Sequence, residues 1–141
     1  MENNQIELTL EQIYDLANEA LIKNGCNQEN AKAVADTVTK AEKDGSISHG
    51  LFRIPGYVAS LNSNKVKGDA KPSNVFVTQN VIRVDGDKGF APLAIKVGIP
   101  ALSEVTKKHG VGVMTIKNTH HFAALWHETE SLAENDLIGI A

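Results

Sequence analysis

Val111-Gly112-Val113-Met114-Thr115-Ile116-Lys117-Asn118-Thr119-His120-His121-Phe122-Ala123-Ala124-Leu125-Trp126 is the stretch on which the fold turns. Its first six residues are mostly β-branched or apolar, the composition of a buried strand. A polar loop over residues 118–121 follows, and residues 122–134 have a helical pattern. Upstream, residues 92–108 read as a helix, interrupted at Pro100 and closed by His109-Gly110, where His109 suits the dipole of a helix C-terminus. Strand, helix, strand, loop and helix in succession predict an α/β fold. The loop joins a strand end to a helix start, where open α/β architectures place ligands and where backbone N–H groups can receive phosphate.

Further upstream, Val75, Val77, Val81, Ile82 and Val84 predict two short strands around Thr78-Gln79-Asn80, with Asp85-Gly86 as a turn. The N-terminal part is helical instead. Thr9-Leu10-Glu11-Gln12 has the spacing of a capping box, and Ile13, Leu16, Ala17, Ala20 and Leu21 form an apolar stripe that stops at Asn24-Gly25. A second helix starts near Asn27, carries Ala31, Val34, Ala35, Val38 and Ala41 inward, and ends towards Gly45. Residues 46–50 read as a loop and residues 51–61 as a third helix despite Pro55. At the other end, residues 137–141 look like the first residues of another core strand, so the chain is expected to be truncated.

Composition limits the functional classes. With 42% hydrophobic and 22% charged residues and a formal net charge of -3, the 141-residue chain has the profile of a soluble globular protein without the clustered basic face that nucleic acid needs. No apolar run approaches the roughly 20 residues of a membrane span. The polar opening Met1-Glu2-Asn3-Asn4 is unlike a secretory signal. A single cysteine, Cys26, fits a cytoplasmic protein and a structural role.

Two polar loops carry candidate chemistry. In Ser48-His49-Gly50-Leu51-Phe52-Arg53, the glycine leaves the His49 ring exposed and Ser48 can hydrogen-bond it. Arg53, four residues on, can project a planar guanidinium able to grip a carboxylate with two hydrogen bonds. Histidine is well suited to donate a proton near neutral pH, so a donor beside a carboxylate clamp fits reduction of a 2-imino or 2-oxo acid. The same spacing fits an ordinary loop histidine and a solvated arginine. In the second loop the adjacent His120 and His121 point apart and lack a third ligand, so no metal site is expected. Phe122, Leu125 and Trp126 read as core of the following helix, and His127, Glu128 and Glu130 as its solvated face. No Gly-x-Gly-x-x-Gly fingerprint, Walker loop or nucleophile elbow occurs.

Together the two loops carry a family resemblance. Asp44-Gly45-Ser46-Ile47-Ser48-His49-Gly50-Leu51-Phe52-Arg53-Ile54-Pro55-Gly56-Tyr57-Val58 resembles the malate/L-lactate dehydrogenase family, whose dinucleotide-binding fold is not of the Rossmann type. Asn118-Thr119-His120-His121-Phe122-Ala123-Ala124-Leu125-Trp126 is similar to the Δ1-piperideine-2-carboxylate/Δ1-pyrroline-2-carboxylate reductase branch, although many family members have Gly at the position of Ala123. The resemblance implies N-terminal helices followed by the start of a mixed dinucleotide-binding sheet. Residues 1–70 would form the helical region with the Ser-His-Gly loop, and residues 71–141 the start of the α/β cofactor-binding region.

It also implies NADPH or NADH as hydride source and a homodimer with its active site between domains. By position, His49 would be the proton donor, Ser48 its relay partner and Arg53 the substrate-carboxylate ligand. His121, Phe122, Ala123, Ala124 and Leu125 would touch the cofactor, with His121 a second acid–base candidate. Family members are more than twice as long, and the catalytic aspartate and most cofactor contacts would lie beyond residue 141. A malate, lactate or ureidoglycolate dehydrogenase is the nearest alternative, since it would use the same clamp and donor. An inactive fragment serving only in oligomerisation is an alternative of another kind.

Overall fold

The computed structural model describes residues 6–141, so the polar opening Met1-Glu2-Asn3-Asn4 lies outside the described residues. Helix α1 (Leu10–Lys23) begins with the expected capping box: the Thr9 hydroxyl accepts the Gln12 N–H at 3.2 Å, and the Gln12 side chain accepts the Thr9 N–H at 2.9 Å. It buries Ile13, Ala17 and Leu21, one face at four-residue spacing, whereas Leu16 turns outward and is exposed, against expectation. Helix α2 (Gln28–Lys43) is capped by Asn27, which accepts the Asn30 N–H at 3.0 Å. Its small stripe, Ala31, Val34, Ala35, Val38 and Ala41, is fully buried as predicted. Helix α3 (Ile54–Asn62) adds Ile54, Tyr57 and Leu61 to this first core, which Val66 and Phe90 complete. Cys26 is buried within it, and burial pushes its thiol up to about 11, so it is unreactive near neutrality.

A second core lies between a three-stranded sheet and helix α4 (Ala91–His109). Strands β1 (Ser73–Phe76) and β2 (Val81–Phe90) are antiparallel, and β2 pairs in parallel with β3 (Val113–His120), in the order β1-β2-β3. The helix lies between β2 and β3 in the chain, the crossover that a parallel pair requires. It packs Ile95, Ile99, Leu102 and Val105 over Ile82 and Val84. Gly98 faces Met114 and Val84 with no room for a Cβ, which lets the helix approach the sheet closely. Pro100 does not interrupt α4: apolar contacts on both sides of it outweigh the single lost helix bond. Gly110, at φ 81°, ends the helix with a bond from its N–H to Thr106 O.

Four further expectations need correction. Asp85-Gly86 is not a turn; β2 runs through it to Phe90 with a bulge, and Asp87 and Lys88 take up the positive φ. The Asp85 carboxylate, bonded by the Asp87 N–H, the Asn118 amide and Lys117, holds that bulge. Strand β3 is not buried on both faces, because α4 covers only one, and Val113, Thr115 and Lys117 face outward. It also continues through Asn118 to His120, where a loop is expected. Residues 137–141 form no strand, with Ile138 and Ile140 95% and 96% exposed.

Candidate active site

The first polar loop forms two single 3-10 turns, Ile47–His49 and Leu51–Arg53, between α2 and α3. Gly50 between them is buried against the Glu42 side chain, where a Cβ would collide, and Glu42 accepts the Leu51 N–H at 2.7 Å. The glycine therefore lets the loop close onto α2. Above it the His49 Nδ1 meets two hydroxyls, Ser48 Oγ at 3.0 Å and Ser46 Oγ at 3.3 Å. Among the described residues no polar group bonds its Nε2. Arg53 donates from Nε to Ser48 O at 2.7 Å, which fixes the stem of the side chain and leaves its two terminal nitrogens without a protein partner among the described residues. Ser48, His49 and Arg53 are thus assembled into one unit, with Ser48 touching both others.

The second loop meets the first through α3. Tyr57 lies one helical turn beyond Arg53, and its hydroxyl is 3.2 Å from His121 Nδ1, with the two rings edge to face at 5.2 Å. The Ala123 N–H also donates to that Nδ1, at 3.1 Å. With Nδ1 the acceptor, the neutral ring carries its proton on Nε2. Burial lowers the His121 pKa, and the nearby charges of Arg53, His120 and His49 lower it further. Burial raises the Tyr57 pKa to about 12, against a smaller opposing pull from Arg53, so the phenol stays protonated and can donate. Ser60, almost one turn further along α3, bonds His120 Nε2 at 3.2 Å. The paired histidines are therefore both docked on α3, through different side chains.

Helix α5 (Trp126–Ala133) begins later than expected, because His121 and Ala123 adopt φ values of 54° and 60° and keep residues 121–125 out of the helix. Ala124 is buried, but Phe122 and Leu125 are exposed and do not belong to the core. Trp126 is half-buried and packs on His49. Nor is the polar face of α5 uniformly solvated: Glu128 is 7% exposed with no partner for either carboxylate oxygen among the described residues, and His127 is half-buried. No local sequence pattern marks Tyr57, Ser60 and Asp44 as site residues by residue type. The helical spacing of Arg53, Tyr57 and Ser60 is the signal that places the last two beside the loop.

For a nicotinamide dinucleotide, the exposed apolar side chains of Phe122 and Leu125, next to a small Ala123, suit one part of the molecule. These side chains suit an apolar part of such a site and so fit only part of it. An apolar groove of about 490 Å³ adjoins the same loop, lined in part by Phe122, Leu125, Ile138 and Ile140, and neither His49 nor Arg53 lines it.

Comparison with known proteins identifies the family and the fold. A model of the malate/L-lactate dehydrogenase family matches residues 8–141. The Δ1-pyrroline-2-carboxylate reductase of Ancylobacter novellus is 40% identical over 132 residues, which cover 94% of this chain and 39% of that protein. The Δ1-pyrroline-2-carboxylate/Δ1-piperideine-2-carboxylate reductase of Pseudomonas aeruginosa is 35% identical over 136 residues, 96% of this chain and 41% of the relative. The crystal structure of Δ1-piperideine-2-carboxylate reductase from Pseudomonas syringae superposes with a TM-score of 0.88 at 38% identity, over 92% of this chain and 39% of that one. Malate dehydrogenase from Pyrococcus horikoshii gives 0.85 at 25% identity, over 94% and 38%. The chain thus spans about two fifths of the length of these relatives, and it belongs to the malate/L-lactate dehydrogenase family.

Proposed function

We propose that this chain supplies the substrate-anchoring and proton-donating part of an NAD(P)H-dependent reductase acting on a small cyclic 2-imino acid, Δ1-pyrroline-2-carboxylate or Δ1-piperideine-2-carboxylate. The observation that carries the reading is the Ser48–His49–Arg53 unit: an arginine fork with its stem fixed and, among the described residues, no partner for its terminal nitrogens, beside a histidine with Nδ1 engaged and no partner among them for Nε2. Arg53 binds the substrate carboxylate through that fork. When bound, the reduced nicotinamide supplies hydride to C2 of the C=N bond. His49 delivers the matching proton to the ring nitrogen from Nε2–H while the Ser48 hydroxyl passes its own proton to Nδ1 and is reprotonated by solvent water. His121, kept neutral by its surroundings, presents Nε2–H as a donor and serves as the second acid–base candidate. Residues 121–125 contact the cofactor.

In this reading residues 1–70 are the unit bearing the Ser-His-Gly loop and residues 71–141 the start of the cofactor-binding unit, a division supported by the two apolar cores, the first of which takes only Phe90 from beyond residue 70. The whole enzyme works as a homodimer. A 2-hydroxy-acid dehydrogenase would use the same clamp and donor, and the structural likeness to malate dehydrogenase favours it as the second reading.

A chimera separates the two. Residues 8–141 would replace the matching segment of the Ancylobacter novellus relative, and kcat/KM would be compared for Δ1-pyrroline-2-carboxylate, pyruvate and oxaloacetate with NADPH and with NADH. Preference for the cyclic imine is the expected result. Preference for oxaloacetate or pyruvate would move the chain to the second reading, and a folded but inactive chimera would favour an inert fragment.

A further inference from the structure

His49 lies on a short 3-10 turn whose neighbours pack poorly: Ile47 and Phe52 are exposed. The turn alone does little to hold the ring. Its Nδ1 is engaged by Ser46 and Ser48, but a hydroxyl on a flexible side chain does not fix a ring plane. The remaining contact comes from the second motif. Trp126, the first residue of α5, meets the imidazole edge to face with centroids 5.9 Å apart and an interplanar angle of 79°. The indole is tethered in turn, since its Nε1–H donates to Asp44 Oδ2 at 3.1 Å. Asp44 is the C-cap of α2, five residues before His49 in the chain.

One turn along the same two helices, Lys40 and Glu130 form a second link at 3.0 Å. Asp44 pairs with Trp126 and Lys40 with Glu130, so α5 is clamped to α2 at two points four residues apart on each helix.

We propose that Trp126 is a positioning residue for His49, its indole N–H anchored on Asp44 so that the ring edge fixes the plane of the imidazole. This rests on the proton-donor role given to His49 above, and it adds what the tryptophan does. On the sequence alone Trp126 is core; here it is a strut that ties the second polar loop to the first. It explains how two motifs nearly 80 positions apart act as one site.

Trp126 is the only tryptophan, so its emission reports the contact directly. A protonated imidazole against an indole quenches fluorescence, so the pH dependence of the emission of the 141-residue chain reports whether an imidazole at position 49 lies on the indole. The other titratable groups facing this indole are Asp44, its tether, and His127 beside it, which is half-buried near Lys40 and Glu130. Emission would be followed from pH 5 to 8 in the parent, His49→Gln, His127→Gln, Asp44→Ala and Asp44→Asn, with circular dichroism checking the fold of each.

The expected result has three parts. His49→Gln removes the titration and His127→Gln retains it. Asp44→Ala cuts its amplitude at least twofold, and Asp44→Asn, which keeps an acceptor oxygen, restores it. A titration that survives His49→Gln, or one that Asp44→Ala leaves unchanged, would overturn the proposal. Because the readout needs no turnover, an inactive chimera with an intact titration would count against the proton-donor role alone.

Discussion

Ala123 occupies a backbone conformation, φ 60°, that costs an L-residue roughly 1–2 kcal/mol and glycine almost nothing. The neighbouring His121 shares this region, and together they turn the chain so that the Ala123 N–H reaches His121 Nδ1. Ala123→Gly should therefore raise stability by up to about 1 kcal/mol, the relief of strain being partly offset by the flexibility of glycine in the unfolded chain. Urea denaturation measures it, and a loss of stability would show that the methyl packs favourably.

Glu128 gives a second prediction at this scale. Burial raises its pKa, so the folded form binds the proton more tightly than the unfolded chain. Stability contributed by this group is then greatest at acid pH and declines as pH rises from the ordinary carboxylate range through the raised folded-state value. Glu128→Gln, which removes the charge and keeps the shape, should be more stable than the parent by about 1 kcal/mol at pH 7.5, with the gap narrowing towards pH 4. A gap independent of pH would mean that the carboxylate is solvated.

Arg53 adds a third. In the chimera Arg53→Lys should raise KM for the imino acid at least tenfold with a smaller change in kcat, since an ammonium cannot make the paired contact. Steady-state kinetics decide it, and an unchanged KM would remove the clamp.

The two loops were legible as chemistry because Ser48, His49 and Arg53 are close in sequence and touch through local bonds. Tyr57 and Asp44 were less so. Their partners, His121 and Trp126, are 64 and 82 positions away, and no local pattern announces such a pairing.

At the scale of elements, local signals succeeded where they were complete. Thr9 with Gln12, and Asn27, mark helix starts because their side chains satisfy backbone N–H groups a few residues away. Thr9→Ala should accordingly cost about 1 kcal/mol in urea denaturation, and no measurable loss would mean that α1 is held by packing alone. The stripe of α2 was legible for a similar reason, since its small residues are buried on one face throughout. Signals failed where tertiary contacts override a local preference. Pro100 lies in a helix pinned to a sheet over its whole length, and Asp85-Gly86 is drawn into β2 by Asn118 and Lys117 of a strand more than 30 residues later. The end of β3 misled because polar residues can pair in a strand whose outer face is open.

At the scale of the molecule, the sheet presents β3 as an edge strand, beside a groove where Val111, Val113, Phe122, Leu125, Ile138 and Ile140 are exposed. An apolar edge of this kind favours association. The 141-residue chain should therefore run as oligomers in size-exclusion chromatography with light scattering and show no NADPH-dependent reduction of Δ1-pyrroline-2-carboxylate. A monodisperse monomer that binds NADPH at micromolar concentration would contradict this, because the described residues offer only part of a dinucleotide site.

The central claim concerns His49 as proton donor, and the turnover of His49→Ala in the chimera tests it most directly. A positioned general acid is worth about 10²- to 10⁴-fold in rate. The account predicts that kcat for Δ1-pyrroline-2-carboxylate falls within that range while NADPH affinity, measured by fluorescence titration, stays unchanged. Turnover of His49→Ala close to that of the parent chimera would contradict it.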